Sequence, residues 1–140
     1  MTFLVAGKAN GEVLKLDEPL SFWGGVDPQT GEITDLRHPQ GGLSVKGKVL
    51  MMPFGRGSSS GSSVIAEGIR SGSGPAGIIM MEADEIIALG AIVADEIYGK
   101  AMPIIVVEKS EYDGYSTGDL VDISEDGVTL SRLVVKNPIF

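Results

Sequence analysis

Cysteine is absent from the 140 residues. The chain by itself can therefore form no disulfide, no thiolate zinc site and no cysteine-ligated iron–sulfur cluster. Histidine is nearly absent: His38 stands alone, which excludes a multi-histidine metal site. Metal chemistry involving this chain is thus expected to sit on another chain. Positive charge is also short, with 11 basic against 19 acidic residues and a net charge of −8. An acidic surface repels a phosphate backbone, so no nucleic-acid partner is expected, although one local arginine can still hold a small anion. Acids and glycines break every hydrophobic passage before the roughly eighteen residues that a bilayer span needs. The opening MTFLVAGKANG lacks the basic start and long apolar segment of a secretory signal. The expectation is a cytoplasmic chain with no membrane partner.

Glycine is plentiful, 20 of 140 residues, and falls between short apolar runs without a period. With 43% hydrophobic and 21% charged residues the chain is expected to fold. Its length suits one sizeable core and no hinge divides it, so a single domain over 1–140 is expected. Strand character marks Val13–Leu16, Leu20–Trp23, Ile33–Leu36, Lys48–Met52, Gly77–Met81 and Pro103–Val107. Residues 27–31, DPQTG, read as a turn, and RHPQGG at 37–42 as an irregular loop. Ser62–Ile69 reads as a helix capped by Ser60 or Ser62, with Val64, Ile65, Gly68 and Ile69 as its apolar stripe. A second helix starts at Glu85 behind an Asp84 cap, is interrupted at Gly90, and stops at Gly99-Lys100. Two strands flank a hairpin turn at Glu125-Asp126-Gly127. The order predicts an α/β domain: a mixed β-sheet or barrel-like core with flanking helices.

The stretch GRGSSSG at 55–61 lies between a strand and a helix. It reads as a slack surface loop, a phosphate cradle, or a loop presenting a serine. A Walker loop is poorly matched, because the closing lysine-serine/threonine is missing. The dinucleotide-binding spacing is missing too. An acyl-transfer elbow with Ser59 at its centre requires a later histidine, whereas His38 comes earlier. A serine beside an arginine and backbone donors can instead act as a base toward a C–H proton when a metal polarises the leaving hydroxyl. The ligands of that metal would come from a partner.

Three passages, LSFWGGVDPQTGEITDLRHPQGG at 20–42, MPFGRGSSSGSSVIAEGIRSG at 52–72 and ADEIIALGAIVADEIYGKAMPIIVV at 83–107, resemble the small subunit of aconitase X in the same order. The resemblance implies a swivelling β/β/α domain that supplies a catalytic serine to a cleft shared with a large, cluster-bearing aconitase X subunit. The first serine after Gly-Arg-Gly holds that position, which makes Ser58 the expected general base. Arg56, Gly57, Ser59 and Ser60 are expected on the substrate side, as is His38. An iron–sulfur cluster is implied on the large subunit, with none bound by this chain alone. The substrate class is a small hydroxylated carboxylate. The triple serine and AEGIRSGSGPAGII resemble the bacterial branch more, cis-3-hydroxy-L-proline dehydratase, and phosphomevalonate dehydratase is the alternative. A noncatalytic interaction domain is the competing class.

The remaining candidates have plainer readings. Phe22, Trp23, Gly24 and Gly25 are expected to pack or to border a subunit interface. Asp84 and Glu85 are explained by the helix dipole. Lys109, Glu111 and Asp113 read as solvated, and Met80 and Met81 as strand or core.

Overall fold

The computed structural model describes residues 1–57 and 60–131. Ser58 and Ser59 lie outside the described residues, as does 132–140. Seven strands form one mixed sheet in the order β1-β5-β4-β3-β2-β6-β7. They are β1 (Thr2–Val5), β2 (Ala9–Lys15), β3 (Val49–Met51), β4 (Gly77–Met80), β5 (Ile104–Val106), β6 (Leu120–Ser124) and β7 (Gly127–Ser131). β2, β3, β4 and β5 run parallel, whereas β1, β6 and β7 pair antiparallel to their neighbours.

The central strands are short, continuous apolar runs because both of their faces are buried. Their side chains alternate accordingly. Leu50, Met52, Ile78, Met80 and Ile104 join a core beneath the helices. Val49, Met51, Ile79 and Ile105 join a second core on the other face, with Tyr112, Tyr115, Val121 and Ile123. Burying each such aliphatic side chain contributes about 1.5–3 kcal/mol. β2 links the two layers: Val13–Lys15 pairs with β3, while Ala9–Glu12 pairs with β6. The β6–β7 hairpin thereby folds over the second core and gives the β/β/α layering.

Helix α2 (Gly61–Ser71) connects β3 to β4, and α3 (Glu85–Tyr98) connects β4 to β5. Ile65, Ala66 and Ile69 of α2 share the first core with Ile87, Ala91 and Ala94 of α3. Asp84 caps α3 as expected, its Oδ1 accepting from the N–H groups of Ile86 and Ile87 at 2.9 Å each. Gly99 ends α3 in the left-handed conformation. Gly90 does not interrupt it. A Cβ there would stand 2.6 Å from the Ser62 carbonyl, so this glycine is the contact that lets the two helices meet.

Three expectations are corrected. Leu20–Trp23 is no strand: Ser21 makes an isolated bridge to Arg56, and α1 (Phe22–Gly25) is one turn broken by nonhelical angles at Trp23 and Gly24. Ile33–Leu36 is no strand either: Ile33 makes a single isolated bridge to Val26, and Glu32 just ahead of it bridges Ser44, with turns on both sides and no ladder to extend. Ser60 occupies the N-cap of α2, yet its hydroxyl makes no capping bond. Its carbonyl instead accepts from Ser63 Oγ at 2.8 Å. Two elements carried no sequence signal that was read as structure: edge strand β1 and the short α4 (Lys109–Tyr112).

Candidate active site

The β3–α2 loop leaves the carboxyl end of a parallel strand, the edge where open α/β sheets place ligands. Gly57 within it has φ +111°, and a Cβ there would collide with Ser21 Oγ, so both backbone angle and space demand glycine. The loop is held on two sides. Arg56 bridges Ser21 through the backbone. Beneath, the second carboxylate oxygen of Asp84 fills the space where Gly55 would carry a side chain. The cap of α3 thus also supports the loop. Ser58 and Ser59 themselves lie outside the described residues; they are framed by Arg56 and Gly57 before and by exposed Ser60 and buried Gly61 after.

Beside this frame opens a cleft of about 550 Å³, drawn from segments 19–25 and 34–37 and from Arg56. The Arg56 guanidinium is exposed and meets no ion-pair or hydrogen-bond partner among the described residues. Arg37 lines the same cleft. Its side chain is 95% exposed, and its Nε lies 3.6 Å from Asp35 Oδ1. Two guanidinium groups in one concavity suit a carboxylate or phosphate, which they can engage bidentately. In a chain with net charge −8, this is a local reversal of sign.

His38 is 5% exposed, which removes the reading of an ordinary exposed loop histidine. Its Nδ1 accepts from the Gln40 N–H at 3.0 Å, and its Nε2 stands 3.1 Å from the Glu18 carbonyl. A backbone N–H can only donate, so the proton sits on Nε2 and is donated to Glu18. The cleft lining does not include His38. It reaches the cleft through the backbone it ties together, Glu18 ahead of Pro19 and the turn that follows Asp35, and not by its own ring.

Sequence reasoning set apart what the fold joins. Arg37 carried no site signal, being one arginine in a loop. Phe22 packs in the core as expected, and its neighbour Trp23 is 58% exposed on the cleft wall, a division that the sequence does not show. Met80 is core as expected, and Met81 is half-buried. Lys109 pairs with Asp113 at 2.6 Å, both exposed, and Glu111 accepts from the Tyr115 hydroxyl at 3.2 Å.

A second cleft, about 500 Å³, lies at the same sheet edge beside Lys15, Asp17, Tyr112 and Tyr115. Lys15 Nζ donates to the carbonyls of Tyr112 and Tyr115 at 3.2 and 2.9 Å, and sits 4.9 Å from the Tyr112 ring centre. Burial, aided by Asp113, pushes the Tyr112 phenol up to about 12. Burial and Glu111 do the same for Tyr115.

Among the described residues no group of three or more metal-ligating acids and histidines exists, and none of the described helices is long and apolar enough to cross a membrane.

The family model for the aconitase X swivel domain matches residues 1–131. The chain is 54% identical over 101 residues to the cis-3-hydroxy-L-proline dehydratase of Pseudomonas aeruginosa, covering 72% of this chain and 17% of that protein. It is 40% identical over 119 residues to the phosphomevalonate dehydratase small subunit of Methanosarcina acetivorans, covering 84% of this chain and 78% of that one. The crystal structure of Thermococcus kodakaraensis aconitase X in its holo form superposes with a TM-score of 0.81 at 38% identity, over 93% of this chain and 95% of that chain. The chain therefore spans about a sixth of the length of the bacterial hydroxyproline dehydratase it matches, and most of the archaeal small subunit.

Proposed function

The chain belongs to the aconitase X swivel domain family, and on that premise we propose that residues 1–140 form one swivel domain of a hydro-lyase that dehydrates cis-3-hydroxy-L-proline to Δ1-pyrroline-2-carboxylate. The observation that carries the proposal is that Arg56, at the start of the GRGSSSG sequence, lines a cleft and is unpaired among the described residues. In this reading Ser58 takes the α-proton, the C3–O electron pair departs with the hydroxyl, and the resulting enamine tautomerises to the imine. Hydrogen and hydroxyl leave together as water, so no oxidant or reductant is needed. Arg56 binds the substrate carboxylate, the N-terminus of α2 behind Ser60 favours the same charge, and Gly57 and Ser59 are assigned to the substrate side with them. His38 acts as a positioning residue through Glu18 and Gln40.

This chain does not fit an iron–sulfur cluster: it has no cysteine, and its described acids do not gather. The cluster belongs in this proposal to a large partner subunit, which supplies Lewis-acid chemistry to the shared cleft. Location in the cytoplasm and a reaction shared between two subunits are parts of the same proposal.

A second reading, phosphomevalonate dehydration to trans-anhydromevalonate 5-phosphate, is favoured by Arg37, since two arginines on one cleft also suit a phosphate beside a carboxylate. Anaerobic co-purification with the cluster-bearing subunit and assay of both substrates separates the two. In that assembly Ser58→Ala is expected to leave association intact and to lower kcat by about 10²–10⁴-fold, the range for a lost general base. Undiminished turnover by Ser58→Ala would establish a noncatalytic interaction domain instead.

A further inference from the structure

Trp23 is the only tryptophan in the chain and is 58% exposed. A large aromatic left in water on one wall of a charged cleft is an expensive placement unless something covers it. Its position is also unusually constrained for an exposed side chain. Phe22, the preceding residue, is buried in the first core at 4% exposure and anchors the turn. Gly24, the following residue, takes φ +79° and reverses the chain. Ser21 Oγ donates to the Trp23 carbonyl at 3.0 Å, while the Ser21 backbone bridges Arg56. Trp23 and Arg56 are therefore held in register on the same cleft. Among the described residues no cation stands over the indole, and the indole N–H donates to none of them.

Resting on the hydroxyproline reading, we infer that Trp23 is the specificity-determining wall of the cleft. Its indole face receives the secondary ammonium and pyrrolidine ring while Arg56 takes the carboxylate. The two candidate substrates differ in this feature. Hydroxyproline is a zwitterion whose cation is part of a compact ring, whereas phosphomevalonate is an anion with no cationic group. An aromatic face attracts an ammonium through its quadrupole and covers the apolar ring edge. It offers a phosphate nothing comparable. Asp35 is the other cleft group able to meet an ammonium, but its Oδ1 already accepts from the Arg37 N–H at 3.0 Å and faces the Arg37 side chain. Arg56 therefore supplies affinity for anions in general, and Trp23 selects the cyclic ammonium acid among them.

The test uses the assembled, cluster-loaded enzyme with two competitive inhibitors of equal ring size: L-proline, which carries the ammonium, and cyclopentanecarboxylate, which does not. Trp23→Leu is expected to raise KM for cis-3-hydroxy-L-proline and Ki for L-proline about five- to tenfold, a larger change than in kcat. It should leave Ki for cyclopentanecarboxylate within about twofold, and Trp23→Phe should recover most of the loss. Subunit association is measured alongside by size exclusion. The assignment is overturned if both inhibitors weaken alike, if neither weakens, if Asp35→Asn and not Trp23→Leu carries the ammonium dependence, or if Trp23→Leu acts only by loosening the assembly. A wild-type assembly that binds neither L-proline nor cis-3-hydroxy-L-proline, and does not dehydrate the latter, refutes the substrate reading and the role of Trp23 with it. Wild-type turnover combined with an unchanged Trp23→Leu KM refutes Trp23 alone.

Discussion

Two clefts of similar size open at the carboxyl edge of the parallel strands, about 550 Å³ beside Arg56 and about 500 Å³ beside Lys15, and their cations are in opposite states. Lys15 is committed. Two carbonyls accept from its ammonium and an aromatic ring lies beneath it, so its charge serves to terminate α4 and bind that turn to β2. Arg56 makes no such contact with the described residues. Volume alone does not separate the two concavities. The difference is how many hydrogen-bonding and charge interactions the fold has already satisfied, because only an unsatisfied group gains on meeting a ligand.

The largest effect expected from breaking this comparison lies in Arg56. Arg56→Ala in the assembled enzyme should raise KM about 10–100-fold, the loss of one charge-assisted bidentate contact, with subunit association preserved. Lys15→Met should leave KM unchanged and instead lower the midpoint of thermal unfolding. A KM effect from Lys15 equal to that from Arg56 would erase the distinction between the clefts.

Gly57→Ala sharpens it further. An alanine at φ +111° is strained and must displace Ser21 Oγ, at a cost of about 1–3 kcal/mol read from denaturant unfolding. Since Ser21 also fixes the Trp23 carbonyl, the same substitution should perturb substrate affinity, an outcome absent for a glycine with only a turn to make.

The smallest effect belongs to the Lys15 cleft. The Tyr112 hydroxyl is buried and without a hydrogen-bond partner among the described residues, so Tyr112→Phe should be neutral or slightly stabilising at pH 7. Its pH signature has a definite sign. In the unfolded chain tyrosine ionises near pH 10. The folded phenols of Tyr112 and Tyr115 are raised to about 12, so their neutral forms are favoured by the native state. That contribution is fully present below about pH 10 and is lost between about pH 10 and 12, as the unfolded chain releases protons that the folded one retains. Tyr112→Phe should flatten part of this alkaline loss, measured by urea unfolding across that window. An unchanged slope would show that burial at this position does not act on the phenol.

Much of the fold was legible from short stretches. The runs at 49–51, 77–80 and 104–106 declared strands because a segment buried on both faces must be apolar throughout. Asp84 and Gly99 bracketed α3 because capping depends on residues only a few positions apart. The 125–127 turn likewise announced its hairpin. β1 was missed because an edge strand is defined by its partner, here β5 about a hundred residues away. Gly90 was misread because its purpose is a neighbouring helix, and its own helix gives no sign of it.

For the site, the GRGSSSG loop and Arg56 stood out locally, and the family resemblance assigned Ser58 its expected role. Arg37 and the separation of Phe22 from Trp23 did not stand out. Adjacent residues differ in burial only when the direction of the turn is known, and that direction depends on angles at Trp23 and Gly24 that no propensity prescribes.

The chain alone determined its central strands and two long helices, its net negative charge, its inability to ligate a cluster through cysteine and the glycine–serine loop, since each follows from composition or from neighbours along the backbone. Only the tertiary structure decided that Arg37, Trp23 and Arg56 share one concavity while Lys15 is consumed in another. Which charges remain available depends on carbonyls and rings brought from distant positions, and such partners exist only once the sheet has closed around its two cores.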